Sequence, residues 1–314
     1  MKEMDKYLKQ RIERKKMYDS LMTRHPSYKA YRNQDIELKS YPFKVRIEPT
    51  NYCDMKCKIC PQSSWENSSE KGYINLNLFR EIIDKLKGKV EYCGLFLGGE
   101  PLIHPDIVEM VRIANAAQLR PYFHTNGLAL TEKKSEQLIK AGLDYISFSF
   151  EGVNRKKYES VRKGTNYDVV LNNISTFLRI KKDYDLDNPY TVIEVLDYNA
   201  PYITKEFKNL FRGLPVNEFK FIKTHTWTSG PSRQDTSKYI PCRMLWDMMI
   251  IGWDGTVLPC CFDIKRKMKM DNIKGKEIAE IWNNKKFITM REKIIKIQYK
   301  DLKLCATCQM LFKK

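Results

Sequence analysis

From Phe43 to Thr224 the sequence alternates between two kinds of segment, and that alternation constrains the fold more than any single motif. Six stretches enriched in β-branched or aromatic residues read as strands: 43–48, 92–97, 121–125, 145–150, 190–196 and 218–224. Helical patterns lie between them. In 75–89, Phe79, Ile82, Ile83 and Leu86 recur at i, i+3, i+4 and i+7, and Gly88 is placed to end the helix. A second helix opens at Thr131 and stops at Gly142, and a third, from about Asn166, puts Val169, Val170, Ile174 and Phe177 on one face. The expected class is α/β, with a parallel sheet whose ligands sit at the carboxyl ends of the strands. At 314 residues the chain can bury a core the size of a single α/β barrel, or one large domain with a small appendage.

The flanks differ. Residues 1–41 are polar and helical in pattern and read as an N-terminal extension to a core over 42–236. After Ser237 the rhythm breaks, and 237–314 read as a hairpin (MMIIGWDGTVLPCC) turning at Trp253-Asp254-Gly255, then a helix, then a cysteine-bearing tail. No apolar run reaches membrane-spanning length and no signal-peptide segment follows the N-terminal charges, so a cytoplasmic protein with no membrane partner is expected. The formal charge of +18 concentrates near both termini. A solvated face is its commonest meaning; the functional one is an anionic partner. With no zinc-finger His pair and no RNA-binding aromatic motif, nucleic acid is not the expected partner.

Nine cysteines in a cytosolic setting point to metal or catalysis ahead of disulfides. Three of them, Cys53, Cys57 and Cys60, form CxxxCxxC directly after the first strand, where an α/β fold places its ligand. Three thiolates can hold three irons of a 4Fe–4S cluster and leave the fourth open; a zinc site completed by one further ligand is the plainer alternative. One strand later, Gly98-Gly99-Glu100-Pro101 supplies two glycines for close backbone approach and a carboxylate able to take up an ammonium group.

CxxxCxxC followed by GGEP resembles the radical S-adenosylmethionine (SAM) superfamily. The resemblance implies a partial (β/α)6 barrel and a cluster whose open iron chelates the amino and carboxylate groups of SAM. It also implies reductive cleavage of SAM to a 5′-deoxyadenosyl radical that takes hydrogen from a substrate C–H. "HTNG", 124–127, resembles the end of the family's third strand and brings in Asn126. "SFEG" followed by "YESVRKG" resembles the family's Ser-x-Asp-Gly…Arg-Gly segment, which implies Ser149 and Arg162 near SAM's ribose and carboxylate. Two departures are Glu151 where Asp is usual and Ile59 where an aromatic often precedes the last cysteine; Ile59 can still pack on adenine. A reducing donor of the flavodoxin or ferredoxin kind is an implied partner.

The second group, Cys242, Cys260 in a Gly-x4-Cys spacing from Gly255, and the pair Cys305 and Cys308, has the make-up of a closed four-ligand site, with zinc again the plainer alternative. Its segment is similar to the SPASM/twitch extension of radical SAM enzymes, which implies one auxiliary 4Fe–4S cluster. Only six residues follow Cys308, too few for the two further cysteines of a full SPASM domain. Cys93 is expected in the core. Cys261, adjacent to a ligand, is read as packing or as a thiol hydrogen donor, pointing to the opposite face from Cys260 if the strand is extended.

This architecture resembles the dehydrogenase of aminocyclitol biosynthesis, which implies oxidation of a small polar substrate with the auxiliary cluster as electron acceptor. A peptide maturase, a sugar epimerase and a non-catalytic zinc-binding adaptor are the alternatives. Substrate-side candidates near the last two strand ends are Glu194, Asp197, Lys223, His225 and Trp227, each equally readable as a solvated loop position. His225 could deprotonate an alcohol.

Overall fold

The computed structural model describes residues 2–64, 70–151, 154–197, 205–223 and 236–312. Its centre is a sheet in the order β11-β10-β9-β1-β3-β4-β5-β7-β8, nine strands among the described residues. The six expected strands are all present: β1 (Lys44–Ile47), β3 (Tyr92–Leu95), β4 (Arg120–Thr125), β5 (Tyr145–Ser149), β7 (Tyr190–Asp197) and β8 (Glu218–Lys223). Each pairs in parallel with the next, from β1 to β8. A two-residue ladder joins β2 (Lys56–Cys57) to β6 (Arg162–Lys163).

Helices α3 (Leu76–Leu86), α4 (Ile107–Ala116), α5 (Glu132–Lys140), α6 (Arg155–Val161), α7 (Tyr167–Asp183) and α8 (Lys205–Asn209) connect the strands. Their ends follow the expected chemistry. Thr131 caps α5 by accepting from the Lys134 amide, Asn166 caps α7 by accepting from the Val169 amide, and Gly142 takes the left-handed conformation after α5. On α3 the four expected apolar residues are all buried. On α7 the expectation needs correcting: Val169 is 43% exposed, while Tyr167, Val170, Ile174, Phe177 and Leu178 are buried. One position is about 100° on a helix, enough to turn Val169 to solvent.

The hairpin is β9 (Met248–Ile251) and β10 (Thr256–Leu258), with Gly255 at φ +87 in its turn. β9 follows the short α9 (Met244–Asp247) and pairs in parallel with β1, so the hairpin and the short β11 (Asp271–Asn272) extend the main sheet. The single expected helix is two, α10 (Ile278–Trp282) and α11 (Lys285–Ile295), because Asn284 caps a new start by accepting from the Phe287 amide.

At the other terminus, α1 (Lys2–Arg24) lies across the sheet, its Arg14 paired with Asp144 and its Arg11 3.3 Å from Glu218. After it, α2 (Pro26–Asn33) packs on α9: Ser27 Oγ donates to Asp247 at 3.1 Å, and Tyr31 meets Trp246 edge to face. Cys93 is fully buried in the main core.

Candidate active site

All the core strands run the same way, so the loops after β1, β3, β4 and β5 gather at one mouth. Residues 51–64 follow β1. Thr50 and Asn51, both buried, anchor this loop: Thr50 Oγ1 donates to Gly72 O at 2.7 Å, and Asn51 exchanges bonds with Gly72 N and Glu70 O. Cys53, Cys57 and Cys60 are half-buried there, while Asp54, Lys56, Lys58 and Ile59 between them are exposed.

The GGEP loop is fastened directly to the residue before Cys53. The Glu100 amide donates to Tyr52 O at 2.8 Å. A Cβ on Gly99 would run into the carbonyl oxygens of Thr50 and Tyr52, so only glycine permits this approach. Glu100 itself is buried and already occupied: one oxygen accepts from Leu102 N and Thr125 Oγ1, the other from Asn126 N at 2.9 Å. Burial pushes its pKa up to about 7 against those bonds. A carboxylate has about four acceptor positions, so roughly one remains for an ammonium group. Pro101 is buried and opens a single 3-10 turn.

Two further segments close on the loop. Asn126 donates from Nδ2 to Asp54 at 2.6 Å. Arg162 is paired across the ladder with Cys57; its guanidinium takes both oxygens of Glu151 and reaches to 4.0 Å from Cys57 Sγ. Glu151, seen in the sequence only as a departure, is thus the bidentate partner of Arg162, its extra methylene supplying reach. Ser149 is in register with Glu194, and Glu194 with Lys220. Ile59 is 38% exposed.

Gly98 connects this mouth to the C-terminal segment. Its amide donates to Glu48 Oε1 at 3.1 Å, and the other oxygen of this fully buried carboxylate is paired with Arg266, which also bonds Asp254 at 2.9 Å in the hairpin turn.

The second group is assembled over a long stretch of chain. Ile240 N donates to Leu311 O at 2.8 Å, which returns the tail to the segment before Cys242. Cys242, Cys260, Cys305 and Cys308 then line one cavity, whose other walls include Leu245, Phe262, Met290 and Leu311. Burial pushes the Cys242 thiol up to about 12 and raises Cys305 and Cys308, as it raises Cys53 and Cys57 in the loop. Thiols in such surroundings ionise only against a cation. The donor set is sulfur alone, which suits iron–sulfur or zinc. Among the described residues no three His, Cys, Asp or Glu side chains are gathered as tightly as one ion needs. Sulfurs spaced around a cavity fit a group of several irons better than a single zinc.

Cys261 does not point away as an extended strand requires. β10 ends at Leu258, and Asp263 N donates to Cys260 O at 3.0 Å, so Cys260 and Cys261 enter a turn. Both sulfurs lie 4.0 Å from Met244 Sδ. Cys261 nonetheless packs with Leu97 against Met248, Ile250 and Leu258. It is the more acidic of the two, because Cys260 donates a hydrogen bond to it and Arg46 and Lys44 stand nearby.

On the substrate side, Glu194 is buried, accepts from Ser147 Oγ at 3.1 Å and lies 3.5 Å from His124 Nδ1; burial raises its pKa. His225 and Trp227 lie outside the described residues, as do the side chains of Asp197 and Lys223. His124 was missed as a substrate-side residue. Its signal is the alternation in RPYFHT, which turns Tyr122 and His124 to the same face.

Among the described residues no helix is long and apolar enough to cross a membrane. A family model described as the radical SAM superfamily matches residues 47–191, and one described as the SPASM iron–sulfur cluster-binding domain matches residues 242–309. A curated relative, the tungsten-containing aldehyde ferredoxin oxidoreductase cofactor-modifying protein of Pyrococcus furiosus, is 21% identical over 295 residues, covering 78% of this chain and 82% of its own. The S-adenosyl-L-methionine-dependent 2-deoxy-scyllo-inosamine dehydrogenase of Niallia circulans is 22% identical over 273 residues, covering 84% of this chain and 91% of its own. Among solved structures, Streptococcus suis SuiB bound to precursor peptide SuiA matches with a TM-score of 0.63 at 16% identity, over 91% of this chain and 79% of that one. A non-catalytic zinc adaptor is overturned by these matches, and SAM and iron–sulfur clusters, an auxiliary one among them, follow from the two domains. The chain is a radical SAM enzyme: it belongs to that superfamily and carries a C-terminal SPASM domain.

Proposed function

We propose that the enzyme is a cytoplasmic dehydrogenase of a small polar substrate of sugar or aminocyclitol type. The observation that carries this reading is the lining of one apolar cavity by Cys242, Cys260, Cys305 and Cys308, a place for one auxiliary 4Fe–4S cluster beside a barrel. The extended likeness to the 2-deoxy-scyllo-inosamine dehydrogenase supports the substrate type. When bound, the two clusters supply one-electron chemistry: reductive cleavage of SAM at one, with electrons from a flavodoxin- or ferredoxin-type donor, and acceptance of the substrate's second electron at the other.

The chain's own residues do the rest. Cys53, Cys57 and Cys60 hold the first cluster. Gly98, Gly99, Glu100 and Pro101 receive SAM's amino group, Asn126, Ser149 and Arg162 its ribose and carboxylate, and Ile59 its adenine. Glu194, with His124 beside it, takes the hydroxyl proton, a role the sequence also offers to His225. Division of the chain at 41/42 and 236/237 belongs to the same reading.

The test is anaerobic reconstitution, with about eight irons per chain expected, followed by a screen of deuterated polyols and aminocyclitols. Deuterium in 5′-deoxyadenosine together with a ketone product supports the dehydrogenase. Deuterium transfer with an epimer as product would favour a second reading, in which Cys261 donates hydrogen; its packing with Leu97, Met248 and Ile250 on the barrel side favours that one. Transfer only from a peptide would favour a maturase, as the likeness to SuiB suggests.

A further inference from the structure

Parallel strands covered on both faces are usually apolar throughout. Here the inward face of the sheet is polar. It encloses a cavity of ≈ 560 Å³, within the range that takes a small molecule. Lys44 and Tyr92 stand at the start of their strands, His124 and Lys220 further toward the mouth, so the cavity runs along the strands toward the SAM loops. Helix α1 crosses the opposite end and adds its own cations to the wall.

The charges do not balance. Arg11, Arg14, Lys15, Lys44, Arg46 and Lys220 face Asp144 and Glu218. Arg14 takes Asp144 and Arg11 takes Glu218; a third carboxylate, Glu194, is in register with Lys220 and meets part of its charge. No salt bridge among the described residues engages Lys15, Lys44, Arg46 or Lys220. Lys44 has the Tyr18 hydroxyl at 3.3 Å, and the Arg46 guanidinium lies 4.2 Å from the centre of the Phe96 ring. Arg46 Nε and Tyr92 Oη, both in this wall, are buried without a hydrogen-bond partner among the described residues. His124 adds no compensating charge: burial, with Arg46 and Lys220 nearby, holds it neutral down to about pH 3. Lys44 and Arg46 are partly buried in the wall, where a cation without a salt bridge is costly, while the exposed Lys15 and Lys220 add positive potential at its edge; an anion offsets that cost.

We propose, resting on the assignment of the barrel interior to the substrate of this radical SAM enzyme, that the cavity takes the phosphate or carboxylate group of an anionic small molecule. Arg46, Lys44, Lys15 and Lys220 supply the counter-charge. The anionic end lies toward α1, and the reacting carbon toward the mouth. The N-terminal helix is therefore part of the substrate site.

The probe is radiolabelled inorganic phosphate in equilibrium dialysis with the reconstituted holoenzyme. Saturable binding at about one phosphate per chain is expected, weakened about tenfold or more in Lys15→Gln/Lys220→Gln, since each lost charge removes one charge-assisted contact. Both residues are exposed, so this variant tests the site even if Arg46→Gln fails to fold. The charge-matched control Lys133→Gln/Lys285→Gln, exposed on α5 and α11, should bind as the wild type does. Equal binding in the cavity variant, or none in the wild type, overturns the proposal.

SAM cleavage under dithionite is read in parallel. Its absence from the wild type would sink the functional reading while leaving the phosphate result as measured; its persistence in the cavity variant separates the two sites. Incubation with a metabolite extract and mass spectrometry of the retained ligands identifies the source. An organic phosphate or carboxylate retained by the wild type and lost from the variant supports a substrate anion, and retention of inorganic phosphate alone overturns it.

Discussion

The loop of Cys53, Cys57 and Cys60 and the cavity of Cys242, Cys260, Cys305 and Cys308 use seven of the nine cysteines in opposite ways. The loop is local in sequence, half-exposed, and surrounded by polar partners: Glu100, Asn126, Asp54 and the Arg162–Glu151 pair. It is positioned mainly by backbone, through Tyr52 O, the Gly99 approach and the β2–β6 ladder. The cavity is assembled from distant segments, and its walls beyond the thiols include Leu245, Phe262, Met290 and Leu311. A site that must admit a charged ligand needs polar neighbours and an open side, whereas one that only exchanges electrons is better closed and dry.

Replacing all three loop cysteines by alanine should have the largest effect. SAM cleavage should disappear while the auxiliary cluster remains, so that iron falls from about eight to about four per chain. 5′-Deoxyadenosine from that variant under dithionite would erase the distinction between open and closed sites. Next comes Cys260→Ala, which should also cost about four irons but leave SAM cleavage intact and abolish ketone formation. Cys261→Ala should keep its iron. Since the two thiols are neighbours in a turn, iron loss from Cys261→Ala with retention in Cys260→Ala would show that the other sulfur completes the cavity.

Gly99→Ala tests the backbone approach. The added methyl meets two carbonyl oxygens, so a loss of about 1–3 kcal/mol in stability is expected, together with a raised KM for SAM and an unchanged auxiliary cluster. A variant with wild-type thermal stability and KM would mean that the two loops do not touch as described. The smallest effect belongs to Glu151→Gln, which keeps shape and removes charge from the Arg162 pair. KM for SAM should rise about tenfold, with iron content unchanged. An unaffected KM would place Arg162 outside SAM binding.

Much of this site was legible because its determinants are local. CxxxCxxC and GGEP each fall at a strand end, and the strands announce themselves by composition and spacing. Thr131, Asn166 and Gly142 act where their side-chain and backbone chemistry says they should. Failures came where one residue of phase or a neighbouring residue mattered. Val169 lies one position off the buried stripe of α7. The end of β10 at Leu258 turned the expected opposition of Cys260 and Cys261 into contact. Glu151 looked like a deviation until Arg162 was seen against it.

The sequence by itself determined the alternation of strands and helices and the CxxxCxxC and GGEP motifs, since each depends on residues within a few positions of one another; the meeting of Cys242, Cys260, Cys305 and Cys308 in one cavity needed distant segments to come together. Only the tertiary structure decided that α1 packs against the sheet, that Lys44, Arg46 and Lys220 share one cavity, and that Glu48 joins the GGEP loop to the hairpin through Arg266. The reason is physical. A charge on a strand or helix has the same local propensity whether it faces solvent or a lumen, and which one it meets is settled by segments far away in the chain that close around it.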